Sequence, residues 1–386
     1  MSRGVVILGS TGSVGRQALD VIRSCPDQLH LVGLAGFKNL DLLAGQIEAW
    51  SPKYVYAPAI AGERTWHGAI VLPLDKLCQV SEADCVLIST VGSSGLHPTL
   101  AALKAGKTVA LANKEVLVMA GQIVIETAQR FGARILPIDS EHNAIWQCLV
   151  GECTVDTGRV TGPVRRIVLT ASGGAFRDLP IDQLNSVTAK QALAHPTWVM
   201  GEKVTIDSAT LMNKGFEVIE AHWLFGLPYD RIDVVLHRES IVHALVEFVD
   251  GSFKGSLGPP DMRLPLQYAL TFPERRAGSW PRLRLEDLGH LTFAPLASGR
   301  YPCFDLAMAA AEVGGTMPAV LSASDDEAVL SFLKGQIAFN EISETVDRAM
   351  QAHQPIARPS LDEIVAADAE ARLSVTGRIG QPVQLA

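Results

Sequence analysis

Asp139 and Glu141 stand two residues apart at the end of the apolar run Ile135-Leu136-Pro137-Ile138. In an extended chain, residues i and i+2 point to the same side, so this spacing predicts two carboxylates converging at the carboxyl end of a buried strand. Carboxylates brought together repel unless one keeps a proton or a cation lies between them. A second acidic cluster runs from Asn213 through Lys214 and Glu217 to Glu220, and Asn213 and Glu217, four apart, share one face of a predicted helix. Three oxygen ligands without His or Cys suit Mg²⁺ or Mn²⁺ better than Zn²⁺. Taken singly, each of these acids reads better as an ordinary helix cap or surface charge; the pairing at a strand end is what argues for a metal.

Gly9-Ser10-Thr11-Gly12-Ser13-Val14-Gly15 sits between a β-branched run and a helical pattern. Missing Cβ atoms let a pyrophosphate approach such a turn, and the helix start adds N–H donors and a favourable dipole. The spacing is G-x-x-G-x-x-G, so the context carries more weight than the pattern. NAD enzymes place an acid after the second strand to accept the ribose hydroxyls. Here the segment reads Gly36-Phe37-Lys38-Asn39; a lysine there would pair with a 2′-phosphate and favours NADP(H). Phosphate-binding candidates form a third group. Ser172-Gly173-Gly174 follows a predicted strand, His195 precedes Pro196, and Ser208 is expected at the start of the helix carrying Asn213 and Lys214. An anion held there by Ser, Asn and Lys is physically sensible, although Ser208 beside Asp207 also reads as a plain helix cap.

The elements that must position these groups follow from the hydrophobic pattern. Strands are predicted at 4–8, 31–35, 85–89, 108–112 and 134–138, with helices at 17–22, 40–50, 95–105 and 119–131. Strands alternating with helices imply right-handed crossovers and an α/β fold whose N-terminal part is a Rossmann-like, doubly wound parallel sheet. The middle third changes character. Strands at 167–170, 234–236, 240–249 and 252–257 predict a second, α+β catalytic domain, the last two joined by an Asp250-Gly251 hairpin. The polar stretch 172–202 is long enough to be a mobile lid. Proline and arginine dominate from 273, and after Pro302 the pattern is helical, with a Ser360-Leu361-Asp362-Glu363 capping box before the last helix. The expected division is 1–137, a dinucleotide-binding domain; 138–272, the catalytic domain; 273–299, a linker; and 300–386, a C-terminal helical bundle.

Composition restricts the function classes. The chain of 386 residues has 48% hydrophobic residues and a net charge of −8, which argues against nucleic acid or an anionic membrane as the main partner. Six cysteines without a Cys-x-x-Cys pair fit free thiols in a reducing compartment. With no leader-like segment and no run of about 20 apolar residues, a cytoplasmic enzyme is expected.

The motifs together resemble the 1-deoxy-D-xylulose 5-phosphate reductoisomerases. The likeness rests on the glycine turn, Ala112-Asn113-Lys114-Glu115, Pro137-Ile138-Asp139-Ser140-Glu141-His142, Ser172-Gly173-Gly174, His195-Pro196-x-Trp198 and Asp207-Ser208-Ala209-Thr210-x-Met212-Asn213-Lys214-Gly215. It continues through Pro260-Asp261-Met262-Arg263 and covers essentially the whole chain. The resemblance implies Asp139, Glu141 and Glu217 as ligands of a divalent cation (Mn²⁺, Mg²⁺ or Co²⁺). It implies Lys114, Ser140, Glu141, Ser172, His195, Ser208, Asn213, Lys214 and Glu217 around the sugar phosphate, with Lys114, Glu141 and His195 as the catalytic groups. Thr11, Gly12, Ser13, Val14, Gly36, Lys38, Asn39, Asn113, Glu115 and Gly201 would contact NADPH, and Trp198 and Met200 belong to the lid. Phe37 departs from relatives that carry glycine there. The implied reaction is a retro-aldol and aldol rearrangement followed by reduction to 2-C-methyl-D-erythritol 4-phosphate, in a homodimer.

Two rivals stand beside it: a semialdehyde-type NADP dehydrogenase, which would need a cysteine beside a base, and a non-catalytic NADP-sensing protein, which should have lost Lys114 or one of the three acids. His237 and His243 are expected on a strand in a sheet or subunit-interface role, and Cys148 and Cys153 lack a partner histidine.

Overall fold

Val5, Val6, Ile7 and Leu8 expose none of their surface, because their strand lies inside a parallel sheet covered on both faces. The structure, a computed structural model, describes residues 2–377. Its first sheet contains β1 (Arg3–Leu8), β2 (Leu29–Ala35), β3 (Tyr54–Tyr56), β4 (Thr65–Trp66), β5 (Ala69–Val71), β6 (Cys85–Ile88), β7 (Thr108–Leu111) and β8 (Ile135–Pro137) in the order β4-β5-β3-β2-β1-β6-β7-β8. All neighbours are parallel except β4 with β5. Helices α1 (Ser13–Ser24), α2 (Leu40–Trp50), α3 (Leu74–Leu77), α4 (Leu96–Lys104) and α5 (Glu115–Phe131) make the connections. Strand order reverses between β1 and β6, and ligands of open α/β sheets bind at such a reversal, beyond the carboxyl ends of the strands. The glycine turn after β1 lies there. Gly9 has φ +87°, and a Cβ on Gly15 would lie 2.3 Å from the Gly9 carbonyl oxygen, so both positions exclude side chains.

A hairpin of β9 (Thr154–Asp156) and β10 (Arg159–Thr161) precedes the second sheet. That sheet comprises β11 (Val164–Ala171), β12 (Ile232–Leu236), β13 (Val242–Phe248), β14 (Phe253–Leu257) and β15 (Ala294–Pro295), ordered β14-β13-β11-β12-β15. The Asp250-Gly251 turn joins β13 to β14 as expected, with Gly251 at φ +85°. Around it stand α6 (Ser140–Leu149), α7 (Ala189–Ala192), α8 (Glu202–Thr210), α9 (Met212–Phe225) and α10 (Arg263–Thr271). The stretch expected as a linker contributes β15, so it is partly stitched into this sheet.

The C-terminal helices are α11 (Pro302–Val313), α12 (Met317–Leu333), α13 (Glu341–Ala352) and α14 (Leu361–Thr376). Helix α12 buries residues on every side, as a helix in the middle of a bundle must. The capping box forms: Ser360 N donates to Glu363 Oε2 at 2.7 Å and Glu363 N to Ser360 Oγ at 3.3 Å. The last stretch of the expected domain, 378–386, lies outside the described residues.

Three local expectations are corrected. Strand β8 ends at Pro137, Asp139 is the N-cap of α6, and Glu141 lies in the first turn of that helix; the extended i, i+2 geometry does not hold, because Ser140-Glu141-His142 is already helical. Ser208 is in the last turn of α8, not at the start of α9. The chain breaks between them at Leu211, whose φ of +57° is a conformation an L side chain adopts only at a cost of about 1–3 kcal/mol. His237 lies just beyond β12 and off any strand, where its Nδ1 faces the Thr292 carbonyl at 2.9 Å and its Nε2 accepts from the Ile241 and Val242 amides.

Candidate active site

Two stretches of chain bring the acids together. The N-cap and first turn of α6 deliver Asp139 and Glu141, and α9 delivers Asn213 and Glu217 from successive turns of one face. One oxygen from each of Asp139, Glu141 and Glu217 lies within 4.8 Å of the others. Two lysines fill the space between them. Lys114 Nζ is 2.5 Å from Asp139 Oδ2, 2.7 Å from Asn213 Oδ1 and 3.0 Å from Glu217 Oε1. Lys214 Nζ donates to Glu141 Oε1 at 2.9 Å and also to Glu217 Oε2. Ser140 Oγ donates to the other Glu141 oxygen at 2.6 Å.

Behind this layer, His142 and Glu220 are wholly buried, with His142 Nδ1 3.5 Å from Glu220 Oε2 and both atoms lacking a hydrogen-bond partner. His142 Nε2 lies 2.8 Å from the Glu217 carbonyl oxygen, so that nitrogen carries the proton. Asp139, Glu141, Glu217 and Glu220 crowd around Lys114 and Lys214, a formal deficit of positive charge in a buried place that a proton on Glu220 relieves only in part. Burial raises the Glu217 carboxyl, the Glu141 charge raises it further, and burial lifts Glu220 well above the carboxylate range. One divalent cation would make good that deficit, and its hard-oxygen donor set is present. The triple Asp139, His142 and Glu220 also has atoms within 4.8 Å, but its last two members are sealed off, whereas the oxygen triple opens on a cavity.

That cavity, of about 190 Å³, is lined by Lys114, Asp139, Ser140, Glu141, Asn213, Lys214 and Glu217. Ser172, His195 and Ser208 also line it, as do Trp198, Met200 and Gly201 with Ser13 and Val14 of the glycine turn. Leu211 is what turns the chain so that the end of α8 and the start of α9 both face inward. Gly174, at φ +71°, lets the loop after β11 press against α8: a Cβ there would lie 2.4 Å from the Ser208 carbonyl oxygen.

His195 sits at the centre of the hydroxyl group. Its Nδ1 accepts from the Thr197 and Trp198 amides at 3.2 and 2.9 Å, which assigns the proton to Nε2. Nε2 lies 3.0 Å from both Ser172 Oγ and Ser208 Oγ. Burial, with the Arg177 charge adding to it, pushes the imidazole down to about 4. At neutral pH it is therefore an uncharged donor aimed into the cavity.

The cofactor candidates divide into two groups. Thr11 and Gly12 crown the switch point, and exposed Lys38 follows the carboxyl end of β2 beside buried Gly36. Asn39 caps α2, its Oδ1 accepting from Leu42 N at 3.0 Å. Asn113 and Glu115 are buried and off the cavity wall. Asn113 Nδ2 holds the Gly92 carbonyl at 2.9 Å and its Oδ1 caps Val116 N, so its side chain braces the crevice from within. The wall also includes His243, expected in a sheet or interface role, together with Ser240 and Met262, none of which was expected in the site. Of these only His243 left a signal, a histidine between the buried Val242 and Ala244 on β13; its ring lies 5.9 Å from that of Trp198.

Comparison with known proteins gives one answer along the chain. Residues 5–121 match a model described as 1-deoxy-D-xylulose 5-phosphate reductoisomerase, 135–225 its C-terminal domain, and 257–374 a DXP reductoisomerase C-terminal domain. The 1-deoxy-D-xylulose 5-phosphate reductoisomerase of Pelotomaculum thermopropionicum is 50% identical over 384 residues, covering 96% of this chain and 97% of its own. That of Synechococcus sp. (strain JA-2-3B'a(2-13)) is 48% identical, with 96% of each chain covered. Among solved structures, a DOX-P reductoisomerase in complex with NADPH, fosmidomycin and magnesium superposes with a TM-score of 0.89 at 37% identity, covering 98% of both chains. The Zymomonas mobilis enzyme in complex with NADPH gives 0.87 at 34%, over 99% of this chain and 100% of its own. The chain belongs to the 1-deoxy-D-xylulose 5-phosphate reductoisomerase family.

Proposed function

We propose that this protein converts 1-deoxy-D-xylulose 5-phosphate to 2-C-methyl-D-erythritol 4-phosphate with NADPH and a divalent cation, a step of non-mevalonate isoprenoid synthesis. The observation that carries the reading is the convergence, in one 190 Å³ cavity below the glycine turn, of a three-carboxylate cluster and a hydroxyl–imidazole cluster. Asp139, Glu141 and Glu217 would hold the cation; when bound, it would supply Lewis acidity at the ketone and NADPH would supply the hydride.

The chain's own groups do the rest. Ser172, Ser208, Asn213 and Lys214 would grip the phosphate, with His195 Nε2–H donating beside them. The phosphate is remote from the reacting bonds, so its binding energy is available to bring the lid over the sugar and exclude water. Lys114, already among three oxygens, would donate to a substrate hydroxyl and offset charge building on it. Glu141, with Ser140 on one oxygen, is placed to take up and return a hydroxyl proton. Lys38 would pair with the 2′-phosphate, while Thr11, Gly12, Ser13, Val14, Gly36, Asn39 and Gly201 would approach the cofactor, braced by Asn113 and Glu115. Trp198 and Met200 would close over the sugar. On this reading 1–137 would bind the dinucleotide, 138–272 would carry the catalytic groups, 273–299 would link, and 300–386 would form the helical bundle.

The semialdehyde rival lacks its nucleophile: among the described residues no cysteine lines the cavity, and burial pushes the Cys148 thiol up to about 11. A cytoplasmic setting is supported by the six free cysteines, and no described helix is long and apolar enough to cross a membrane. A homodimer is supported by β14, an edge strand with exposed Phe253 and Leu257 that a second copy would cover.

The test follows NADPH absorbance with deoxyxylulose phosphate, with Mn²⁺ and then with EDTA. The reading predicts oxidation that EDTA stops; no metal-dependent oxidation would overturn it.

A further inference from the structure

Helix α8 joins the two halves of the site, with Gly201 as its N-cap and Ser208 in its last turn. Nine residues are too few to hold a helix on propensity alone. No side chain caps its start, and its end turns on left-handed Leu211. Its placement must therefore come from tertiary anchors, and half-buried Lys203 is one. Lys203 Nζ lies 2.5 Å from Asp207 Oδ2 on its own helix, and 2.8 and 3.4 Å from Asp325 Oδ2 and Asp326 Oδ1 on α12. It also sits 4.8 Å over the Phe216 ring of α9.

Asp325 is fully buried and Asp207 is 2% exposed. Asp326 accepts from Arg372 Nη2 of α14 at 2.7 Å. The same carboxylate stands 3.2 Å from where a Cβ would lie on Gly92, in the turn at the switch point whose carbonyl Asn113 holds. One ammonium thus ties the helix after the lid to the C-terminal bundle, and through Asp326 that bundle abuts the cofactor crevice.

We propose that Lys203 is a positioning residue through which the C-terminal helices fix α8, and with it the spacing between Gly201 on the cofactor side and Ser208 on the phosphate side. The proposal rests on the function given above and assigns the helical bundle a part in substrate binding. Burial penalises the lysine's charge, but Asp207, Asp325 and Asp326 outweigh that and keep it protonated. The anchor is therefore charged across the working pH range.

Lys203→Met, Lys203→Arg and Asp325→Asn are the test variants. In Lys203→Met, hydrogen exchange of amides 202–210 should speed up about tenfold while that of α1 stays unchanged. KM for deoxyxylulose phosphate should rise about tenfold, with kcat and NADPH affinity within about threefold of the parent. Lys203→Arg should recover most of the KM, and Asp325→Asn should move both readouts the same way by less. A folded Lys203→Met with parental exchange and KM would overturn the proposal; if it does not fold, unchanged exchange in Asp325→Asn would do so. A parent enzyme inactive towards deoxyxylulose phosphate would sink the functional reading alone, because the exchange measurement still decides whether Lys203 holds α8.

Discussion

His195 was expected among the catalytic groups, and its surroundings narrow what it can do. Two backbone amides occupy Nδ1, so the ring offers only an Nε2–H to the cavity, shared between Ser172 and Ser208. With its folded value lowered from 6.5 to about 4, the imidazole favours the fold above pH 6.5 and loses that contribution as pH falls towards 4. Thermal melts across this window should therefore show the parent losing stability relative to His195→Asn as the buffer is acidified; parallel curves would contradict the assignment. Glu217 is the sharper residue-level case. It is 1% exposed and lies against Lys114, Lys214 and Asn213. Glu217→Gln should abolish turnover and weaken Mn²⁺ binding, read by electron paramagnetic resonance, while NADPH still binds. Undiminished Mn²⁺ binding would remove Glu217 from the metal's surroundings.

At the scale of elements, the site depends on close approaches. Gly174 needs both a positive φ and empty space beside the Ser208 carbonyl, so Gly174→Ala should destabilise the protein by about 1–3 kcal/mol and raise KM for substrate more than for NADPH. Urea denaturation and steady-state kinetics check this together, and an unchanged KM would show that the approach of the β11 loop to α8 is immaterial. These contacts also mark where reading the sequence reached its limit. Strands β1, β2, β6, β7 and β8 were legible because largely buried parallel strands are continuous apolar runs, as Val5 to Leu8 are. The short β3, β4 and β5 were not, because two or three partly exposed residues make neither a period nor an apolar run. The site residues were legible as motifs, yet their geometry was not. Asp139 and Glu141 read as a strand-end pair, whereas a helix begins between them. Ser208 read as the start of a helix it precedes, because nothing in the letters marks Leu211 as left-handed. The side chains that converge on Lys203 come from α8 and from α12, more than a hundred residues apart, a pairing that only tertiary packing reveals.

At the scale of the whole molecule, the buried carboxyls of that junction make stability depend on pH. Burial raises both Asp207 and Asp325; the Asp325 charge raises Asp207 further, and the Asp326 charge raises Asp325. They face Lys203 and, around it, Asp326, Glu115, Arg372 and the Cys303 thiol. A raised carboxyl favours the fold fully below its ordinary value of 3.8, and loses that contribution as pH rises through the raised one. Asp325→Asn removes that loss, so its melting temperature should gain on the parent's as pH increases; a gap that is constant or that narrows would contradict this. The glycine turn, the lid and helices α6, α8 and α9 all line one cavity, where Asp139, Glu141 and Glu217 would hold a cation. The direct measurement is the anomalous diffraction of a ternary crystal grown with Mn²⁺, NADPH and substrate. The account predicts one peak within about 2.1 Å of an oxygen of each of Asp139, Glu141 and Glu217. A peak between His142 and Glu220 instead, or none beside Glu217, would contradict it.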